Sequence, residues 1–221
     1  MARTEELAAA ARGRRARERV ARRDSILAAA QETFTSRGFA GSTMEEVALR
    51  AEITKPTLYG YFRSKDEILL SLIQPVLVEI AEQLEEVRQR LVAGALEQTE
   101  DLITAFLEAL LTPYYQDPER FRLTQLLHQT RLVESLDAGS LAELDTQGRT
   151  AFTVARAIFR TAQERGVIRD TPVGPLADLV WSVAVGTIQV EDIKARTGGR
   201  AQFAATIRLA TELLAVSLAP L

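Results

Sequence analysis

Apolar positions recur at helical rather than strand spacing along nearly the whole 221-residue chain, and no useful run alternates with period two. The pattern predicts an all-α protein. Its clearest short passage lies between Ser42 and Lys65. Thr43 followed by Glu46 is a capping box, in which a hydroxyl and a carboxylate each satisfy a backbone N–H at a helix start. Met44, Val47, Ala48 and Ala51 then mark one apolar face, small enough to sit close to a neighbour. After Glu52-Ile53, Thr54 caps a second helix with Pro56 in its first turn, where a missing N–H breaks no bond. Two helices joined by about three residues predict a helix-turn-helix.

At about 100° per residue, Leu58 and Phe62 share the inner side of the second helix. Pro56, Thr57 and Gly60 fall opposite, with Tyr59 and Tyr61 on the flanks. Thr57 offers a hydroxyl and a methyl to base edges, Lys55 reaches a guanine or a phosphate, and tyrosine hydroxyls donate to phosphates. Gly60 costs roughly 1 kcal/mol against alanine inside a helix, so it is either a point of close backbone approach or merely tolerated. Ser64 with Glu67 is a second capping box. Lys65 lies in the first turn of the helix it starts, either a phosphate anchor or one more solvated lysine.

The stretch from Ile26 to about Leu72 resembles the DNA-binding domain of the TetR family of bacterial transcriptional regulators. The resemblance is carried by Phe34, Arg37-Gly38-Phe39, the Thr43 start, Lys55-Pro56-Thr57-Leu58-Tyr59, and Tyr61-Phe62 before Ser64-Lys65. Two positions depart from the family pattern. Glu52 stands where the turn usually has glycine, and Gly60 stands where a larger residue is common. The expected DNA contacts are Thr43, Thr54, Lys55, Pro56, Thr57, Tyr59, Gly60, Tyr61 and Lys65.

Charge divides the chain. Residues 1–23 hold eight arginines against three glutamates, and residues 1–66 are net +4 while the rest is net −7. A basic head supplies salt-sensitive affinity for DNA, and an acidic body helps orient it. Residues 1–23 are expected either to track DNA as a flexible arm or to extend the first helix as a solvated segment. The expected division is an arm over 1–23, a helix-turn-helix domain over 24–66 and a helical effector-binding and dimerisation domain over 67–221. There is no cysteine, so thiolate metal sites and disulfides are excluded. One histidine and no glycine-rich phosphate loop leave no catalytic constellation and call for no cofactor or metal. No uninterrupted apolar run of about 20 residues predicts a membrane span, and a cytoplasmic protein is expected.

The body reads as helices over about 66–92, 97–111, 118–136, 141–165, 175–196 and 200–218, broken at glycines and prolines. Pro75 interrupts the first of these, as a lever or as a static bend. Leu176, Leu179, Val180, Val183, Thr187 and Val190 stripe one late helix, and Phe203, Ile207, Ala210 and Leu214 stripe the other. Leu209, Leu213 and Val216 cover much of the rest of that last helix, so burial is needed on two sides. A homodimer through 175–196 and 200–218 supplies it and would set two heads on a roughly palindromic double-stranded DNA operator. The family resemblance implies the same dimer and a small-molecule effector cavity. Phe106, Tyr114, Tyr115, Phe121, His128, Phe152, Phe159 and Trp181 are its candidate lining or ordinary core, and their apolar bias suits a hydrophobic or amphipathic effector. The expected function is a sequence-specific regulator, a repressor released by that effector; an architectural DNA binder without one is the alternative.

Overall fold

The computed structural model describes residues 2–128 and 138–220, and among them every regular element is helical. The elements are α1 (Ala2–Arg37), α2 (Met44–Arg50), α3 (Lys55–Tyr59), α4 (Lys65–Val92), α5 (Thr99–Gln116), α6 (Pro118–Thr124) and a 3-10 turn (Gln125–His128). They are followed by α7 (Ala138–Glu164), α8 (Val173–Thr197) and α9 (Phe203–Leu218).

Residues 2–23 are helical and continuous with α1, so the flexible arm is replaced by the helical extension. Alanine, arginine and glutamate dominate this segment and all favour helix. The chain forms two compact units, one of residues 1–74 with 122–141 and one of 75–121 with 142–221. The units divide at Pro75, inside α4. The helix expected over 118–136 tightens into a 3-10 turn at Gln125, and its last part lies outside the described residues.

In the first unit α1 buries Ile26, Ala29, Ala30 and Phe34, α2 buries Met44, Val47 and Ala48, and α3 buries Leu58. Gly38 ends α1 with a φ of 75°, a conformation that glycine adopts without strain. In the second unit Phe106 and Phe159 meet at 4.8 Å among Leu84, Leu91, Leu102, Ala155 and Val180. Each fully buried phenylalanine contributes about 1.5–3 kcal/mol from transfer alone.

Helix α8 is long and apolar enough, by length and composition, to cross a membrane, which the absence of an uninterrupted apolar run did not suggest. Its Leu176, Ala177, Val180, Ala184 and Ile188 are instead buried in the core of the second unit. Its other positions include Asp178, 3.7 Å from Arg156, and Glu191, 2.7 Å from Lys194. The expected α8 stripe splits: Leu176, Val180 and Thr187 are buried, Val183 is half-buried, and Leu179 and Val190 stand exposed.

Candidate nucleic-acid interface

The capping box forms as expected, with Glu46 N–H donating to Thr43 Oγ1 at 3.3 Å and Thr43 N–H donating to Glu46 Oε2 at 3.0 Å. Arg37 pairs with the same Glu46, which ties the end of α1 to the start of α2. At the other end of α2, Ile53 N–H donates to Ala48 O at 3.0 Å and Glu52 N–H to Leu49 O at 3.2 Å. These two bonds are a Schellman closure, and its C′ position requires a left-handed residue. Glu52 occupies it with φ of 54°, the one positive-φ residue other than glycine among the described residues. The departure from glycine thus leaves the turn conformation intact and loads it with strain of about 1–2 kcal/mol.

Thr54 caps α3 by accepting from Thr57 N–H at 3.4 Å, and the two hydroxyls lie 2.8 Å apart. Leu58 and Phe62 are almost fully buried, while Thr54, Lys55, Pro56, Thr57, Tyr59 and Gly60 are all exposed. The helix therefore holds by one side and presents the other. It ends at Tyr59, so Gly60 is its C-cap, with an ordinary φ of −71° rather than a helix-interior position. Its φ does not select glycine, but a Cβ there would lie 3.2 Å from Thr57 O, a tight contact with backbone that glycine avoids. Thr43, spent on the cap, is exposed at the start of α2.

Lys55 and Lys65, on either side of α3, are both engaged. Lys55 pairs with Glu45 of α2 and lies 5.9 Å from the Tyr59 ring. Hydrogen bonding to Glu45 raises the Lys55 ammonium above its ordinary value, and the same bond lowers the Glu45 carboxyl. Lys65, expected as a phosphate anchor, donates to Phe39 O at 2.9 Å and Ser42 O at 3.1 Å, with Ala40 O at 3.5 Å. Its ammonium also sits 4.6 Å from the Phe39 ring. It staples the turn after α1 to the start of α4.

A further set of groups escaped sequence reasoning. Arg15, Arg19 and Arg22 stand at i, i+4 and i+7 on one face of α1 and, with Glu18, line a groove of about 580 Å3 against Gly60 and Tyr61. Arg19 lies 5.8 Å from the half-buried Tyr61 ring, Arg23 lies 5.0 Å from Phe62, and Arg23 donates to Ser71 Oγ at 2.9 Å. Arg15 and Arg22 have no partner among the described residues. The spacing of these arginines was a legible signal once the segment is taken as helix.

Of the eight aromatic and histidine candidates of the body, the seven whose side chains are described do not converge on one pocket. Phe106 and Phe159 fill the core, and Phe152 stacks on Trp181 at 4.3 Å. Tyr114 packs on Phe121 at 5.7 Å and on Phe203 at 5.5 Å. Tyr115 borders a cavity of about 320 Å3 between α5 and α9, and the His128 side chain lies outside the described residues. None of the seven described candidates lines a groove of about 740 Å3 between α4 and α7, within the size range of small-molecule sites.

Comparison with known proteins places this geometry. Residues 26–72 match the family model described as bacterial regulatory proteins, tetR family. The chain is similar to the HTH-type transcriptional repressor NicS of Pseudomonas putida, 28% identical over 158 residues, covering 72% of this chain and 71% of that protein. Its fold is similar to that of PfmR, a TetR family regulator from Thermus thermophilus, with a TM-score of 0.68 at 21% identity, covering 86% of this chain and 96% of that one. It is also similar to that of FadR from Bacillus subtilis in complex with stearoyl-CoA, with a TM-score of 0.66 at 17% identity over 86% and 96% of the two chains. With the helix-turn-helix in place and the matched residues spanning α2 and α3, residues 26–72 carry the helix-turn-helix of the bacterial regulatory proteins of the tetR family.

Proposed function

We propose that this chain is a transcriptional repressor that binds a roughly palindromic operator as a homodimer and is released from it by a small amphipathic effector held in the second unit. The observation that carries the reading is the division of α3, buried at Leu58 and open at Thr57 and Tyr59. An isolated five-residue helix has no stability of its own, so an exposed polar side held this firmly is a reading surface. Thr57, Tyr59 and Lys55 contact the major groove, Lys55 after exchanging Glu45 for a base or phosphate. Arg15 and Arg22 contact the flanking phosphate backbone. The similarity to NicS, named as a repressor, supports repression over activation. The DNA partner sets the site of action in the cytoplasm.

The dimer is supported by the exposed apolar side chains Leu179, Val190 and Ile193 on α8 and Leu209, Leu213 and Val216 on α9. A stripe of this size at the surface of a monomer is unusual. Two heads reading two half-sites multiply affinity with no change at either interface.

The test is fluorescence anisotropy with a duplex selected from a random pool by the protein itself. Thr57→Ala with Tyr59→Phe should lose preference for that duplex while remaining a folded dimer. Unchanged preference would place the readout elsewhere. Arg15→Gln with Arg22→Gln should instead weaken all duplexes alike and flatten the salt dependence, by about 0.9 in slope for each phosphate that is no longer neutralised.

A further inference from the structure

The groove between α4 and α7 changes character along its length. Leu77, Val78 and Ala81 of α4, with Val154 of α7, form an apolar stretch, and Glu82 and Glu86 continue the same face of α4 toward its C-terminus. From Leu77 to Glu86 the helix rises about 13.5 Å, the length of a medium alkyl chain with its head. No basic side chain is among the described lining residues. Glu85 also faces the groove but is neutralised by Arg88, whose Nε and Nη2 donate to it at 2.8 and 2.7 Å. That pairing uses the nearby guanidinium, and Glu82 and Glu86 have no counter-ion among the described residues.

An apolar wall that ends at two uncompensated carboxylates selects by charge. It attracts a cationic head and repels a carboxylate, sulfate or phosphate head whose tail would otherwise fit. We infer that this groove takes a lipophilic monocation, its apolar part against Leu77, Val78, Ala81 and Val154 and its charge beside Glu82 and Glu86. The inference rests on the reading of the second unit as the effector-binding part of the regulator.

Decyltrimethylammonium, decyl sulfate and decanol share a chain and differ in head charge, which makes them the probes. Titration calorimetry on the full-length protein, below the micelle concentrations, should show saturable binding of the cation at least about ten-fold tighter than of the sulfate. Glu82→Gln with Glu86→Gln should weaken the cation at least about five-fold and leave decanol unchanged, with helicity intact. Decyl sulfate binding as tightly as the cation, no cation binding, or an unaffected double variant would each overturn the inference. Anisotropy with the selected duplex separates this from the broader reading. Release by decanol or decyl sulfate but not by the cation would sink the cation site and keep an effector-released regulator. Cation binding that depends on Glu82 and Glu86 but leaves DNA bound would keep the site and sink release.

Discussion

Replacing Lys65 by Met keeps the apolar stem and removes the ammonium, which tests whether this residue works inside the head or on DNA. Its two shorter hydrogen bonds, to Phe39 O and Ser42 O, join the turn after α1 to the first residue of α4. Hydrogen bonds to a charged group contribute about 1.5–3 kcal/mol when buried and less where water can replace the partner, as at these part-buried carbonyls. The ring of Phe39 at 4.6 Å adds about 0.5–1 kcal/mol. Together the loss should be about 2 kcal/mol, which lowers the melting temperature by roughly 4–8 °C for a chain of this size if it unfolds as one. Differential scanning calorimetry of the free protein measures it. In salt titrations of duplex binding, the variant should keep the slope of the parent, since the ammonium neutralises no phosphate. An unchanged melting temperature with a slope smaller by about 0.9 per lysine would refute the staple and restore the phosphate anchor.

Three further outcomes follow from the same geometry. Glu52→Gly removes about 1–2 kcal/mol of left-handed strain and returns about 0.4–1 kcal/mol to the unfolded chain, so urea denaturation should report a net gain of about 0.5–1 kcal/mol; a loss would mean the Glu52 side chain stabilises the turn. Glu45→Gln frees Lys55 and removes a negative charge beside α3, so duplex affinity should rise at neutral pH. The Glu45 carboxyl is lowered in the folded state, so the stabilising pair is complete above the ordinary carboxylate value of 4.5 and is lost as pH falls through the lowered one; acid titration of Glu45→Gln should lack that loss. Leu213→Glu on the exposed face of α9 should give a helical monomer by sedimentation with weakened operator binding, whereas an unaltered dimer would exclude that face from the interface.

The helix-turn-helix was legible because its signals are local. Thr43 with Glu46, Thr54 with Pro56, and the Leu58–Phe62 pair fix caps and faces within a few residues, and all three recur in the fold. The carbonyl partners of Lys65 were not legible because they lie more than twenty residues upstream, and a carbonyl leaves no trace in side-chain identity. Arg15, Arg19 and Arg22 share one face only at helical spacing, which the net charge of the segment does not reveal. The α4–α7 groove was hidden for a different reason. Aromatic residues drew attention to the core, where Phe106 and Phe159 fill space against each other, while the groove is walled by ordinary aliphatics and carboxylates from two distant helices. The exposed row on α9 was visible in the sequence because three apolar residues exceeded what one buried face can hold.

The central claim is that α3 reads sequence in a dimer. The most direct measurement is the ratio of affinities for the selected duplex and a random duplex of equal length, taken at physiological salt with the stoichiometry counted. A ratio of at least about 10³, with two chains or a multiple of two per palindrome, is the expected result. Equal affinity for both duplexes, or a single chain bound with undiminished selectivity, would contradict it.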